Sequence, residues 1–496
     1  MGIIVPYNRR KIMAEILIIG GGVAGLSAGI YAQLSGHHAT ICERQMTTGG
    51  NLTGWQRGEY HIDNCIHWLT GTNTNTALYK IWCNLGALGN VEIYQPDSLY
   101  TYEGDETQLS LYNNLDKIEE ELLRISPEDK KEIKEFICAV KGVQKFNFIA
   151  GNKIEMLLCG AQIAPRLYKY FRLSTGELAM RFKNKNIQGF LTAMLGKDFN
   201  ALALLVVFAT FCSGNGGIPA GSSLAMAKRM TQRFLEIGGN LLLGKEAINI
   251  IEGETGAQIV EFSDATMLTA DYVVITTELN IAFEKLLKKS VPNTIRKYYR
   301  NPKMARFSSM HCAFACKANI LPFHGDYIFK LPKPQQKALK TENLIIREFS
   351  HETSFAPKGE TVIQSLTFCD EATCKEWIVL RKNTIKYRAR KTDFARIVQA
   401  AIVEKFPQLD GKLHLVDVWT PATYHRYTKT EIGSYMAFLF PPKMLPHRLT
   451  NSVKGLSRVI LASQWLQVPG GLPIAAQVGK DAIARINKVE KRKKIG

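Results

Sequence analysis

An α/β fold built on a buried parallel sheet is what this sequence predicts, on three observations. The first is the aliphatic run Ile16-Leu17-Ile18-Ile19, of the kind found in strands covered on both faces. The second is Gly20-Gly21-Gly22-Val23-Ala24-Gly25 directly after it, a G-x-G-x-x-G turn that opens a helical pattern over Val23–Gln33. The third is Glu43, about twenty residues further on, at the end of a second strand read over His38–Cys42.

Each part of this strand–turn–helix–strand unit has a physical task. Gly20 permits the tight turn, Gly22 lets backbone approach a pyrophosphate, and Gly25 lets the helix pack closely on the strand. The helix start around Val23 and Ala24 offers unpaired N–H groups and the positive end of a dipole to phosphate charge. The Glu43 carboxylate can accept hydrogen bonds from ribose hydroxyls. The unit is therefore Rossmann-like, and a dinucleotide is its expected ligand.

Beyond it, 35 residues from Leu109 to Val143 read as helical, with Ile118, Leu122, Ile125, Ile133, Phe136, Ile137 and Val140 at spacings of three and four. Ser126-Pro127-Glu128-Asp129 marks a helix start within that stretch. The most apolar run, Ala201–Cys212, is too short to span a bilayer as a helix. It reads either as a buried helix or as the wall of a hydrophobic tunnel. Ser222–Ile237 reads as a helix closed by Gly238-Gly239, followed by short strands over Leu241–Leu243, Ile248–Ile251, Gln258–Phe262 and Tyr272–Ile275. Tyr299–Leu380 reads as mostly antiparallel sheet, Thr384–Phe406 as a long basic helix stopped by Pro407, Val459–Leu461 as a last strand and Pro473–Val489 as a last helix.

At 496 residues the chain is long enough for two or more domains, and 46% hydrophobic with 22% charged residues is ordinary for a globular protein. Lys and Arg number 63 against 44 Asp and Glu, a formal charge of +19 that favours anionic partners. No aromatic–basic alternation or zinc-finger spacing points to nucleic acid, so an anionic membrane surface is the expected partner. The 10 cysteines form no C-x-x-C pair and no histidine cluster accompanies them, so no metal site is expected and the thiols read as reduced and cytoplasmic. No signal peptide is read at the start, and Met13 is an alternative to Met1 as the initiator.

Several further segments narrow the ligand. They are Glu43-Arg44 with Thr48-Gly49-Gly50-Asn51, the stretch Tyr60–Gly71 that contains His67, Pro219-Ala220-Gly221-Ser222, Ala270–Ile275, Thr420–Thr428, and Leu461–Trp465 with Pro469-Gly470-Gly471-Leu472-Pro473. In these the chain resembles the flavoproteins that include bacterial phytoene desaturases, carotenoid isomerases and retinol saturase, within the amine-oxidase-like superfamily. Two positions depart from that pattern: Asn51 stands where a basic residue is usual, and Gln464 where many relatives carry an acid.

The resemblance implies FAD as the cofactor, held at Gly20, Gly22, Val23, Ala24, Gly25, Glu43, Arg44, Gly49, Gly50, Asn51, Ala247, Gln464, Gly471, Leu472 and Pro473. It implies a discontinuous Rossmann-like FAD-binding domain, residues 13–95, 215–290 and 445–490. An inserted α+β substrate domain with a helical lobe would take residues 96–214 and 291–444, leaving a basic tail at 491–496. No second complete G-x-G-x-x-G is present, so NAD(P)H stays open only as a transient electron donor.

No nucleophile elbow or paired-carboxylate spacing is present, so a general acid or base is not readable from spacing. His67, Tyr424, His425 and Tyr427 are the candidates, each with a plainer reading as a packed side chain. The implied activity is desaturation, saturation or isomerisation of C=C or C–C bonds in a hydrophobic isoprenoid or related lipid, with the enzyme cytoplasmic and peripheral at the inner face of a membrane. Two alternatives remain at this point. One is a flavin amine oxidase for a polar amine, without a cysteine in the C-terminal segment for a covalent flavin link. The other is a non-enzymatic prenyl or lipid escort protein, which would not need the phosphate-binding glycines. Oligomeric state is not readable.

Overall fold

The computed structural model describes residues 14–105, 107–145, 164–165, 167–254, 256–444 and 448–493. The alternative start at Met13, residues 445–447 and the end of the basic tail at 494–496 lie outside the described residues.

A six-stranded sheet is assembled from distant stretches of chain, in the order Asn240–Leu243, His38–Glu43, Glu15–Ile19, Tyr272–Ile275, Leu456–Leu461, Ser452–Val453. Its first five strands are parallel and the last pairs antiparallel. The central strand is covered on both faces, which explains why Ile16, Leu17, Ile18 and Ile19 show no polar alternation: Ile16 and Ile18 pack into one cluster, Leu17 and Ile19 into another. Helix Val23–Leu34 lies on the sheet and meets the C-terminal helix Leu472–Lys493. A Cβ on Gly479 would sit 2.4 Å from the Ala24 carbonyl oxygen, so the two helices approach at backbone distance. Ser27 Oγ donates to Ala476 O at 2.6 Å across that junction. The fold is thus a discontinuous Rossmann-like α/β unit carrying an inserted α+β region.

The inserted region holds a seven-stranded sheet, in the order His414–Trp419, Ser308–Lys317, Glu360–Cys369, Asn343–Glu348, Asp326–Lys330, Ser98–Glu103, Gln108–Tyr112. Helices Leu115–Ile125, Lys130–Gln144 and Ala201–Phe211 pack with it into one core through Ile118, Phe136, Phe208 and Ile345. Asn114 caps the first of these helices by accepting from the backbone N–H groups of Asp116 and Lys117 at 2.9 and 3.2 Å.

Two expectations are corrected. The stretch from Leu109 begins as the strand Gln108–Tyr112, whose alternating burial pairs it with Ser98–Glu103, and helix starts only at Leu115. The strands within Tyr299–Leu380 pair antiparallel with one another as expected, and Asp326–Lys330 pairs parallel with Ser98–Glu103 outside that stretch. The end of that stretch, Glu371–Leu380, is the second correction: it is a helix, started by Asp370 accepting from the Thr373 N–H at 2.8 Å and packed through Cys374 and Trp377. No described helix is long and apolar enough to cross a membrane.

Candidate functional site

The glycine turn opens the site. Gly20 has φ +104°, a left-handed conformation that favours glycine, and its N–H donates to Cys42 O at 2.9 Å. A Cβ on Gly25 would lie 1.9 Å from the Gly20 carbonyl oxygen, so Gly25 serves the packing of helix on turn and lies behind the cavity wall. At Gly22 the nearest atoms to an added Cβ would be Gly49 O at 3.9 Å and Gly50 Cα at 4.0 Å, and the space beyond is cavity. Gly22, Val23 and Ala24 line it, so a helix start without a side-chain cap faces an open volume. Glu43 is buried beside the turn. Its Oε2 accepts from Gly21 N–H at 2.7 Å and its Oε1 from Gln45 N–H at 2.8 Å. Burial pushes its carboxyl above the usual range, and those N–H groups oppose the shift.

The cavity has a volume of about 1140 Å³, beyond the ~300–1,000 Å³ of ordinary small-ligand pockets. Besides the turn, its wall takes in Arg44, Gly49, Gly50, Asn51 and Ala247 from the N-terminal and middle stretches. From the chain's far end it takes Gln464, Gly471, Leu472 and Pro473. Gln464 bridges backbone groups: Oε1 accepts from Gly471 N–H at 2.7 Å, and Nε2 donates to Tyr435 O at 3.1 Å. A carboxylate could not make the second of these bonds, so the amide suits this turn. Arg44 Nη1 donates to the carbonyls of Arg426 and Tyr427, both at 2.9 Å, and so ties the inserted region to the dinucleotide sheet.

One part of the remaining wall is apolar. Helix Ala201–Phe211 is buried except at Leu202, Ala203 and Val206, and these three face the cavity. The two readings of that run are both realised: it is a core helix, and one edge of it lines a hydrophobic volume. Phe199, Phe307, Leu366 and Phe440 continue the wall.

His67 lines the cavity and its Nδ1 lies 3.1 Å from Asp326 Oδ2, which leaves Nε2 for the open side. Asp326 is in turn paired with Arg347, whose Nη2 is 2.9 Å from Oδ2 and whose Nε bonds Oδ1. Arg347 also donates to the carbonyls of Ile66 and His67 at 2.7 and 2.8 Å, so one guanidinium fixes both the carboxylate and the loop that carries the imidazole. Burial opposes charge on Asp326, yet Arg347 and His67 hold its carboxyl below the usual range.

Tyr424 also lines the cavity. Its hydroxyl donates to Asn64 Oδ1 at 3.0 Å, accepts from Trp419 Nε1 at 3.1 Å and lies 3.2 Å from His311 Nε2. Burial pushes that phenol up and lowers His311 to about 3, so both stay neutral at ordinary pH. Tyr427 lies at the cavity rim and is half exposed. His425 is corrected: it is not in the cavity wall, and its Nδ1 is bonded to Thr430 O at 2.8 Å within its own turn.

Sequence reasoning missed Asp326, Arg347, His311 and Glu278. Glu278 lies in the cavity wall three residues past the strand Tyr272–Ile275. It accepts from the Glu431 N–H at 2.6 Å and from Tyr299 Oη at 3.3 Å, with Arg306 Nη1 at 3.4 Å. Arg306 is shared with Glu371 at 2.8 Å and Glu431 at 2.5 Å, so it neutralises Glu278 incompletely and burial raises that carboxyl to about 7.

The sequence profile of flavin containing amine oxidoreductases matches residues 23–487. The chain is 22% identical over 452 residues to a chloroplastic prolycopene isomerase of Arabidopsis thaliana, covering 85% of this chain and 74% of that protein. It is 19% identical over 475 residues to an all-trans-retinol 13,14-reductase of Danio rerio, covering 84% and 76%. A neurosporene-forming phytoene desaturase of Rhodobacter capsulatus is 21% identical over 289 residues, 56% of this chain and 55% of its own. Among solved structures, cyclohexylamine oxidase from Brevibacterium oxydans superposes with a TM-score of 0.60 at 15% identity, covering 96% of this chain and 99% of that one. An oxidoreductase from Methanosarcina mazei gives 0.58 at 13%, covering 95% and 99%. These two likenesses speak for the fold.

Proposed function

The chain belongs to the flavin containing amine oxidoreductases, and from that premise we propose an FAD-dependent oxidoreductase that desaturates, saturates or isomerises a hydrophobic polyene or related isoprenoid lipid. The observation that carries this reading is a single cavity bounded both by the glycine turn and by the apolar edge of helix Ala201–Phe211. The names of the relatives above, an isomerase of prolycopene, a retinol reductase and a phytoene desaturase, support the same substrate class. A polar amine would gain nothing from a wall of Leu202, Ala203, Val206 and Phe307.

Gly20, Gly22 and the helix start at Val23 and Ala24 would hold the pyrophosphate, Glu43 and Arg44 the adenosine ribose side, and Ala247 the adenine. Gly49, Gly50, Asn51, Gln464 and the helix start at Gly471, Leu472 and Pro473 would border the ring system, with Gly25 packing behind. A bound flavin supplies two-electron transfer to or from a carbon–carbon bond. The apolar wall orients an extended hydrocarbon and excludes water. His67 turns Nε2 to the cavity, its ring oriented by Asp326 through Nδ1, and the neutral Tyr424 hydroxyl offers a second polar contact. His425 is left out for the placement given above, and Tyr427 is assigned the rim. For the saturating direction we assign electron supply to a transiently bound NAD(P)H. The enzyme works at the inner face of a membrane, where its substrate is dissolved.

The test is spectroscopic. The purified protein should show flavin absorbance or acquire it with FAD, and a lipid polyene in vesicles should change its visible spectrum on incubation. Anaerobic bleaching by NADPH would assign a saturase, and bleaching by a lipid donor a desaturase. A protein that stays colourless with added FAD refutes the reading.

A further inference from the structure

The helical hairpin Glu371–Leu380 and Thr384–Lys405 carries a surface that the cavity chemistry does not explain. Between Glu376 and Asp393 the chain holds six basic residues, Arg381, Lys382, Lys386, Arg388, Arg390 and Lys391, and no acid. Arg390 has a carboxylate within 3.6 Å, that of Glu376, and it also lies over the Trp377 ring. The other five have no ion-pair partner among the described residues, and Lys382, Lys386 and Arg388 are exposed.

Two aliphatic side chains stand among these charges at the hairpin tip. Val379 is 62% exposed and Ile385 83% exposed. Ile385 lies in the first turn of its helix, exposed to water and close in sequence to Arg381, Lys382, Lys386 and Arg388. The pattern is that of a surface that sits in a headgroup layer, where cations meet lipid phosphate and the aliphatic groups reach the acyl boundary. Nucleic acid would match the cations but leave Val379 and Ile385 without apolar partners.

The same hairpin borders the cavity. Arg381, Tyr387 and Lys391 belong to its wall, and Phe368, on the strand leading into the hairpin, lines it while remaining 37% exposed. We propose that the hairpin tip, through Val379, Ile385, Lys382, Lys386 and Arg388, docks on an anionic bilayer surface and brings the cavity entrance against it. The route of substrate entry rests on the functional reading above; the docking surface does not.

The test uses flavin-loaded full-length protein and sedimentation with vesicles of phosphatidylcholine alone or with phosphatidylglycerol, at low and high salt. Binding should require phosphatidylglycerol and weaken with salt. Lys382→Glu/Lys386→Glu/Arg388→Glu should lose about tenfold or more in vesicle affinity, and Ile385→Ser alone should weaken it severalfold. A charge-matched control, Lys130→Glu/Lys131→Glu/Lys134→Glu on a helix of the inserted lobe, should bind as the wild type does. Retained circular dichroism shows that a variant is folded, and Ile385→Ser serves if the triple variant is not. Equal loss in the hairpin and control variants, undiminished binding by the hairpin variants, or binding to heparin but not to vesicles would each overturn the proposal. Vesicle binding by a protein that takes up no FAD would instead refute the functional reading and leave the docking surface standing.

Discussion

The backbone N–H of Gly21 donates to Glu43 Oε2 at 2.7 Å, while the other carboxylate oxygen holds the N–H of Gln45 at 2.8 Å. The acid expected to meet a ribose thus also clamps the glycine turn to the end of the second strand. Glu43→Gln keeps the volume but has only one acceptor oxygen, so one buried N–H loses its partner. We expect a loss of about 1–3 kcal/mol in urea unfolding, and FAD affinity about tenfold lower by fluorescence titration of apoprotein. Unchanged stability would mean that the clamp contributes nothing.

Glu278 makes stability depend on pH. Its folded-state value of about 7 lies above the ordinary 4.5, so between those values the folded protein binds a proton that the unfolded chain has released. Stability from this group is present in full below about pH 4.5 and is lost as pH rises to about 7, a change on the order of 3 kcal/mol. Glu278→Gln cannot titrate. The difference in unfolding free energy between variant and wild type should therefore grow in the variant's favour from pH 5 to pH 7.5 and then level off. A difference independent of pH would show that Arg306 already neutralises the carboxylate.

Much of the dinucleotide half was legible because its chemistry is local in sequence. The turn, its helix and Glu43 fall within one short stretch, and the strand that leads into the turn carries the unbroken aliphatic run Ile16–Ile19. The ion pair under His67 was not legible. Asp326 and Arg347 face each other across two antiparallel strands, and neither has a neighbour in sequence that advertises the pairing. Glu371–Leu380 contains Thr373, Ile378 and Val379, which favour strands, and the Asp370 cap that starts the helix outweighs them. His425 failed as a site residue for a related reason: on a helix, Tyr424 and His425 point about 100° apart, and only Tyr424 faces the cavity.

Asp326→Asn tests the pair directly. The substitution leaves Arg347 buried without its counter-charge, which should cost about 3–5 kcal/mol in chemical unfolding. In the wild type the carboxyl is held below its usual range, so its contribution is present above the unfolded value near 3.9 and is lost as pH falls through the lower folded value. The variant should therefore lose part of the wild type's acid sensitivity below about pH 4. Equal stability of the two proteins at pH 7 would place the stabilisation of the His67 loop elsewhere.

The edge of helix Ala201–Phe211 separates a hydrocarbon site from a plain core helix. Leu202, Ala203 and Val206 are its part-exposed residues, and they face the cavity rather than bulk water. Enlarging one of them does not overpack the core, because the added atoms enter open volume. Val206→Trp should thus change unfolding free energy by less than about 1 kcal/mol, well short of the ~1–3 kcal/mol typical of overpacked cores. It should also leave flavin absorbance intact. A long polyene would lose the volume it needs along this wall, and we expect kcat/KM to fall by at least about tenfold, the equivalent of ~1.4 kcal/mol in transition-state binding. Val206→Thr keeps the shape and replaces one methyl by a hydroxyl, so it should lower kcat/KM far less. If the tryptophan variant turns over the polyene as the wild type does, the substrate does not lie against this helix.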